Sequence, residues 1–188
     1  MKKIKIGIII NGNFVDKYTY ELAIWLKSNK KKFISTSFIS LEKSGNTNFF
    51  NKKFFKKTLF KFIIFVENLL LQLHKNHKNH LKRYDLRKII QNKIIIEKYK
   101  KNKKYIFKTK DIKKVKEEKF DILIRSCNDI ITNDLLNLSK EGIISFHHGD
   151  HEKFRGSPSG FWEVLFKESS TGFMIQKIDK SLDYGKII

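Results

Sequence analysis

Runs and alternations of apolar residues mark out the elements of the chain. Residues 4–10, Ile-Lys-Ile-Gly-Ile-Ile-Ile, form a β-rich run that stops at Asn11, Gly12 and Asn13, and Phe33 opens a second run to residue 41. Between them Tyr18, Leu22 and Trp25 recur at helical spacing and predict a helix over 18–26. This is a βαβ opening. It lacks the three-glycine dinucleotide fingerprint, because only Gly7 and Gly12 are present, so Gly12 reads as a strand-to-helix turn residue and no nucleotide cofactor is inferred.

Residues 44–51 are polar and loop-like, and 54 to about 87 read as mainly helical. The most hydrophobic stretch, 59–73, is interrupted by Lys61, Glu67 and Asn68. It falls short of the ~20 apolar residues of a spanning helix. It reads as a packed or partner-facing helix, with interfacial membrane contact as the minor alternative. His74, His77 and His80 recur every third residue, but such steps drift round a helix and few carboxylates or thiols accompany them, so no metal face is assigned. Short strands over 93–99 and 105–109 precede a basic helix over 111–119.

The informative part begins at Phe120. A strand over 120–125 is followed by a helix over 132–141 through Leu135, Leu136 and Leu138, with Thr132 or Asn133 as its cap and Gly142 after its end. A strand over 143–146 then runs into His147, His148, Gly149, Asp150 and His151. In an open α/β sheet ligands sit beyond the carboxyl ends of the strands, so this cluster is placed for chemistry. Two or three of its side chains could converge on a metal only through a tight turn at Gly149, and loop polar groups are the plainer reading of His148 and His151. Phe161, Trp162 and Leu165 share helical spacing and read as core.

Length and charge narrow the class. The 188 residues suit one domain, and 40% hydrophobic content with 17 Phe supplies a core. One cysteine, Cys127, excludes a disulfide-stapled scaffold and fits a reducing, cytoplasmic compartment. The net charge of +21 is uneven: residues 51–119 carry 23 basic against 6 acidic groups, while 120–188 carry 8 against 10. The basic segment suits phosphate on nucleic acid or on a small substrate, although Arg, the better phosphate ligand, is scarce there. Solvation of a lysine-rich surface is the bland reading of most of it.

Gly142-Ile143-Ile144-Ser145-Phe146-His147, Phe154-Arg155-Gly156, Pro158, Trp162, Thr171-Gly172 and Leu182-Asp183-Tyr184-Gly185 resemble, in order and spacing, the formyltransferase family. In that family a strand ends in Asn-x-His, an Arg-Gly loop follows, and a Thr-Gly strand leads to a Leu-Asp-x-Gly turn. The longer strings Ser-Phe-His-His-Gly-Asp and Gly-Phe-Trp-Glu resemble a less studied branch. The likeness covers roughly residues 120–188 and, in outline, the βαβ opening.

The resemblance implies an α/β, Rossmann-like domain with a mostly parallel doubly wound sheet, which residues 51–119, outside the likeness, interrupt as a basic, largely helical insertion. It implies transfer of a formyl group from formyl-tetrahydrofolate to a primary amine, with an amino-sugar nucleotide as the first choice of acceptor. Such chemistry needs a donor aimed at a developing oxyanion and a group that manages the amine's proton. By resemblance, His147 supplies the donor, and Asp183 orients His147 or a water and takes the proton. Ser145 stands where the family has Asn, so His148 or a backbone N–H supplies the missing bond, the acceptor chemistry has changed, or activity is weak or lost. Arg125, Ser126, Cys127, Asn128, Asp129 and Ile130 occupy the place that holds the folate ring. His148, Arg155 and Gly156 face the acceptor, Arg155 either binding its anionic part or fixing its own loop. The chain stops soon after Leu-Asp-x-Gly, where family members continue, which implies a fragment. The rival class is a polyanion-binding protein on a catalytically degenerate scaffold, with 51–119 contacting nucleic acid.

Overall fold

The computed structural model describes residues 2–42, 54–73, 82–101, 104–127, 133–149, 153–154, 160–179 and 185–188. In chain order the elements are β1 Ile4–Ile10, β2 Phe14–Val15, α1 Lys17–Ser28, β3 Phe33–Glu42, α2 Phe54–Leu73, β4 Tyr84–Asp85, a 3₁₀ turn at Leu86–Lys88, β5 Lys93–Lys101 and β6 Lys104–Phe107. There follow α3 Thr109–Glu117, β7 Ile122–Arg125, α4 Asn133–Leu136, β8 Ile143–His148, α5 Phe161–Leu165, β9 Phe173–Lys177 and β10 Lys186–Ile187.

Among the described residues eight strands form one sheet in the order β10-β9-β8-β7-β1-β3-β5-β6. The five central strands, β8 to β5, run parallel, and β6, β9 and β10 are antiparallel edges. Chain order runs outward from β1 through β3 and β5 on one side and from β7 through β8 on the other. The reversal between β1 and β7 is therefore the switch point of a doubly wound sheet, beyond which ligands sit in such folds. Of residues 51–119, β5, β6 and α3 complete this sheet and its cover.

β1 is buried on both faces, which is why its sequence is nearly continuous isoleucine. Ile6, Ile8 and Ile10 pack with Val15, Ala23, Leu26, Leu86 and Ile90 on the α1 face. Ile9 joins Ile96, Val115, Leu123, Leu135 and Ile143 on the α3 face. Gly7 belongs to this second face, where a Cβ would come within 2.5 Å of Leu123 Cδ2; only a bare backbone lets the neighbouring strand's leucine lie over it.

The stripe that α1 buries is Thr19, Ala23 and Leu26. Tyr18 and Trp25 are exposed, the latter resting on the edge ring of Phe33 at 5.2 Å. Small residues at 19 and 23 let the helix sit close to the sheet, and the rings one position away are left at its margins. The helix over 54–87 ends at Leu73 as far as it is described, and 84–88 form β4 and the 3₁₀ turn. Asp85 caps that turn, accepting from the Arg87 amide at 3.1 Å and from its guanidinium at 2.8 and 2.9 Å. The Arg87 guanidinium holds the Asp85 carboxyl below the usual carboxylate range. The helix over 132–141 is likewise short, since Ser139 bridges to Phe120, yet Leu135 and Leu138 are buried as the pattern required. α2 leaves Phe62, Phe65, Leu70 and Leu73 exposed. Among the described residues no helix is long and apolar enough to cross a membrane.

α3 is fastened to β5 by one buried carboxylate. Asp111 accepts from the Glu97 amide and from Lys114 Nζ, each at 3.2 Å. Burial alone would push this carboxyl up; the amide and the ammonium outweigh it and hold it below the ordinary value. A depressed carboxylate contributes stability that is present above its unfolded pKa and lost as pH falls through the folded one. Asp111→Asn is expected to lower stability at neutral pH by about 1 kcal/mol. In urea melts its difference from wild type should close as pH falls below about 4.

Candidate functional site

Three adjacent strands end at the switch point in matched register. Arg125, the last residue of β7, lies opposite Ile9 of β1 and Ser145 of β8. Side chains alternate along a strand, so Arg125 shares a face with Leu123, and Ser145 and His147 share one with Ile143. Leu123 and Ile143 belong to the α3-side core, and the polar row Arg125, Ser145, His147 is its continuation over the carboxyl rim. Phe146 points to the opposite face, where its ring stacks on Phe173 at 5.7 Å.

The row is ordered by hydrogen bonds. Ser145 is 2% exposed; its hydroxyl accepts from Arg125 Nη1 at 3.4 Å and donates to the Phe146 carbonyl at 3.1 Å. Ser126 follows Arg125: its amide donates to the Ile9 carbonyl at 2.9 Å and its hydroxyl bonds that of Thr19 in the first turn of α1, which ties the start of the loop after β7 to the helix across the switch point. His147 is different. Its Nε2 is buried and has no hydrogen-bond partner among the described residues. An unmet buried polar atom costs about 1–3 kcal/mol, which a bound ligand with a matching group would recover.

Beyond His147 the strand is turned by Gly149 at φ +112, a conformation side chains rarely adopt. A Cβ there would also meet the Phe154 carbonyl oxygen at 3.3 Å. The Gly149 amide donates to the Gly172 carbonyl at 2.8 Å, joining the end of β8 to the start of β9. Beneath them lies Glu163, 5% exposed, whose Oε1 accepts from Thr171 Oγ1 at 3.2 Å. On the other side of the switch point Lys98, 4% exposed, donates from Nζ to Asn11 Oδ1 at 3.3 Å. A cavity of about 230 Å³ lined by Ile10, Ser37, Leu86, Arg87 and Lys93 belongs to the α1 face and is separate from this row.

Solved structures share this fold. The chain aligns over 99% of its length with glycinamide ribonucleotide transformylase 1 from Symbiobacterium toebii, at TM-score 0.55 and 11% identity. It aligns over 100% with phosphoribosylglycinamide formyltransferase from Anaplasma phagocytophilum, at TM-score 0.53 and 15% identity. The chain has a formyltransferase fold. A sugar N-formyltransferase from Shewanella sp FDAARGOS_354 aligns over 98% of the chain at TM-score 0.50 and 13% identity. The chain spans 71%, 70% and 55% of those three proteins respectively. No family profile and no curated protein matches the sequence.

Within the formyltransferase fold Arg125, Ser145 and His147 come together, with Ser126 beside Arg125 and Cys127 half-buried against the α3-side core. The backbone of His148 pairs with Phe173. Asp183, Asn128, Asp129, Ile130, Arg155 and Gly156 lie outside the described residues, as do Asp150, His151 and the histidines at 74, 77 and 80. Sequence reasoning missed Glu163 and Lys98. Glu163 sits in the apolar string Phe-Trp-Glu-Val-Leu, and the helix buries that glutamate while Phe161, Trp162 and Leu165 are exposed, Leu165 at 55%. The signal was a lone acid inside an apolar run, eight residues before a threonine. Lys98 was hidden among lysines of a segment read as solvated.

Gly149→Ala tests the turn that ends β8. Backbone strain of about 1–3 kcal/mol is expected. At about 2–4 °C per kcal/mol for a chain of this size, the melting temperature should drop by roughly 2–12 °C in a calorimetric scan.

Proposed function

We propose that the protein transfers a formyl group from formyl-tetrahydrofolate to a primary amine, and that the amine is carried on an amino-sugar nucleotide. The observation that carries this reading is the buried Nε2 of His147, without a hydrogen-bond partner among the described residues, at the carboxyl rim of a formyltransferase fold. Formyl-tetrahydrofolate is consumed and so is a substrate; it supplies a formyl group on nitrogen, whose oxygen gains negative charge as an amine adds to its carbon. His147 in its Nε2–H tautomer donates to that oxygen. The bond is made in full only when charge develops, which is the form of binding that accelerates a reaction. Asp183 takes the proton that the amine nitrogen sheds, directly or through a water. Ser126, Cys127, Asn128, Asp129 and Ile130 wall the folate ring, and His148, Arg155 and Gly156 meet the acceptor.

The choice of an amino-sugar nucleotide rests on the sugar N-formyltransferase among the structural neighbours and on the excess of basic groups over 51–119, which suits phosphate. A rival protein that only binds polyanions would leave His147 without a task. It would also bind random-sequence RNA with a steep salt slope.

His147→Ala is expected to lower kcat for release of tetrahydrofolate by about 100-fold or more, the usual cost of removing one oxyanion donor. The variant should remain folded by circular dichroism, because Nε2 makes no hydrogen bond to the described residues. Turnover unaffected by the change, or a full-length protein with no affinity for 5-formyl-tetrahydrofolate, would overturn the assignment.

A further inference from the structure

By resemblance Ser145 stands at the oxyanion-donor position, and its hydroxyl is already engaged there. A serine hydroxyl carries one proton, and that of Ser145 is directed at the Phe146 carbonyl at 3.1 Å. Its oxygen meanwhile accepts from Arg125 Nη1. A substrate oxygen would have to compete with that carbonyl for the single Ser145 proton. The guanidinium that abuts it is another matter. Arg125 lies opposite Ser145 in the parallel register of β7 and β8, so it reaches the rim on the same face as His147. The 3.4 Å separation from Ser145 exceeds the 2.7–3.2 Å usual for N–H···O, a contact that a better acceptor would displace. Arg125 also engages a further partner, and five N–H donors in a fixed fork serve more than one acceptor at once.

We infer that Arg125 is a catalytic residue, the cationic donor to the formyl oxygen that works beside His147 in place of a side-chain amide at position 145. This rests on the formyl-transfer reading. In the reaction the amine's lone pair forms the nitrogen–carbon bond and the carbonyl pair moves onto the formyl oxygen. The pair then returns and the bond from carbon to the folate nitrogen breaks. The proton lost by the amine nitrogen is balanced by the one gained by the folate nitrogen. Arg125 stays protonated throughout and supplies only the hydrogen bond and the charge, both strongest while the oxygen is negative. A compact row results: an arginine at the end of β7, and a histidine two residues past its register partner on β8.

Full-length protein with formyl-tetrahydrofolate and a nucleotide-linked 4-amino-sugar provides the assay, read as tetrahydrofolate release. Arg125→Ala should lower kcat by about 100-fold or more with KM for the donor within about 3-fold. Arg125→Lys, which keeps the charge and loses the fork, should fall between the two. Adding Ser145→Asn to Arg125→Ala should return at least about 10-fold of the lost kcat by presenting an amide at the same place. A structural arginine would not be rescued by a donor on the neighbouring strand. Should Arg125→Ala fail to fold by circular dichroism, the lysine variant with and without Ser145→Asn carries the same comparison. Wild-type kcat in Arg125→Ala, or a rise in donor KM at unchanged kcat, overturns the role of Arg125 and leaves formyl transfer standing. A wild-type protein that neither releases tetrahydrofolate nor binds 5-formyl-tetrahydrofolate overturns both.

Discussion

Strand register is the constraint on which the rest depends. In parallel strands paired residues lie abreast and point the same way, so fixing β1 against β7 and β7 against β8 places Ile9, Arg125 and Ser145 in one line. A slip of one residue on β7 or β8 would turn its side chains to the opposite face and carry Arg125 or His147 out of the row. The α3-side core pays the cost of such a slip twice, because Leu123 and Ile143 hold the same strands that carry Arg125 and His147. The packing that stabilises the sheet is therefore also what aims the polar row. Gly7 belongs to the same logic, since only a bare backbone lets Leu123 close over β1.

At the rim the energetics change sign. Ser145, Ser126, Glu163 and Lys98 are each met by a hydrogen bond that links two elements: β7 to β8, the loop after β7 to α1, α5 to the start of β9, and β5 to the end of β1. Buried polar groups so matched cost little and fix geometry. His147 Nε2 is the exception among the described residues, desolvated and unmatched. Among the described residues it is thus the one buried side-chain polar atom still open to a hydrogen bond.

Much of this was legible in the residues. Both strands of the βαβ opening lie where their apolar runs place them, because a strand buried on both faces has little freedom to be anything but β-branched. His147 and Ser145 were marked by a string that ends a strand, and the structure places them at its rim. The unread parts share a cause: they depend on distance from the sheet, which spacing along a helix does not encode. Thr19, Ala23 and Leu26 form the face of α1 that is buried, and Tyr18 and Trp25 lie off it. Glu163 and Lys98 are buried because Thr171 and Asn11 meet them from far along the chain, and no local pattern announces such partners. Arg125 was read by position as part of the folate wall; only the pairing of β7 with β8 sets its guanidinium against Ser145.

The central claim is that His147 Nε2 waits for a formyl oxygen. It is tested most directly by titrating the full-length protein calorimetrically with 5-formyl-tetrahydrofolate and with tetrahydrofolate, for wild type and His147→Ala. The account predicts that the formylated ligand binds wild type about 10-fold more tightly, the worth of one buried hydrogen bond, and that the preference vanishes in the variant. Equal affinity for the two ligands in wild type, or a preference that survives the loss of the imidazole, would contradict it.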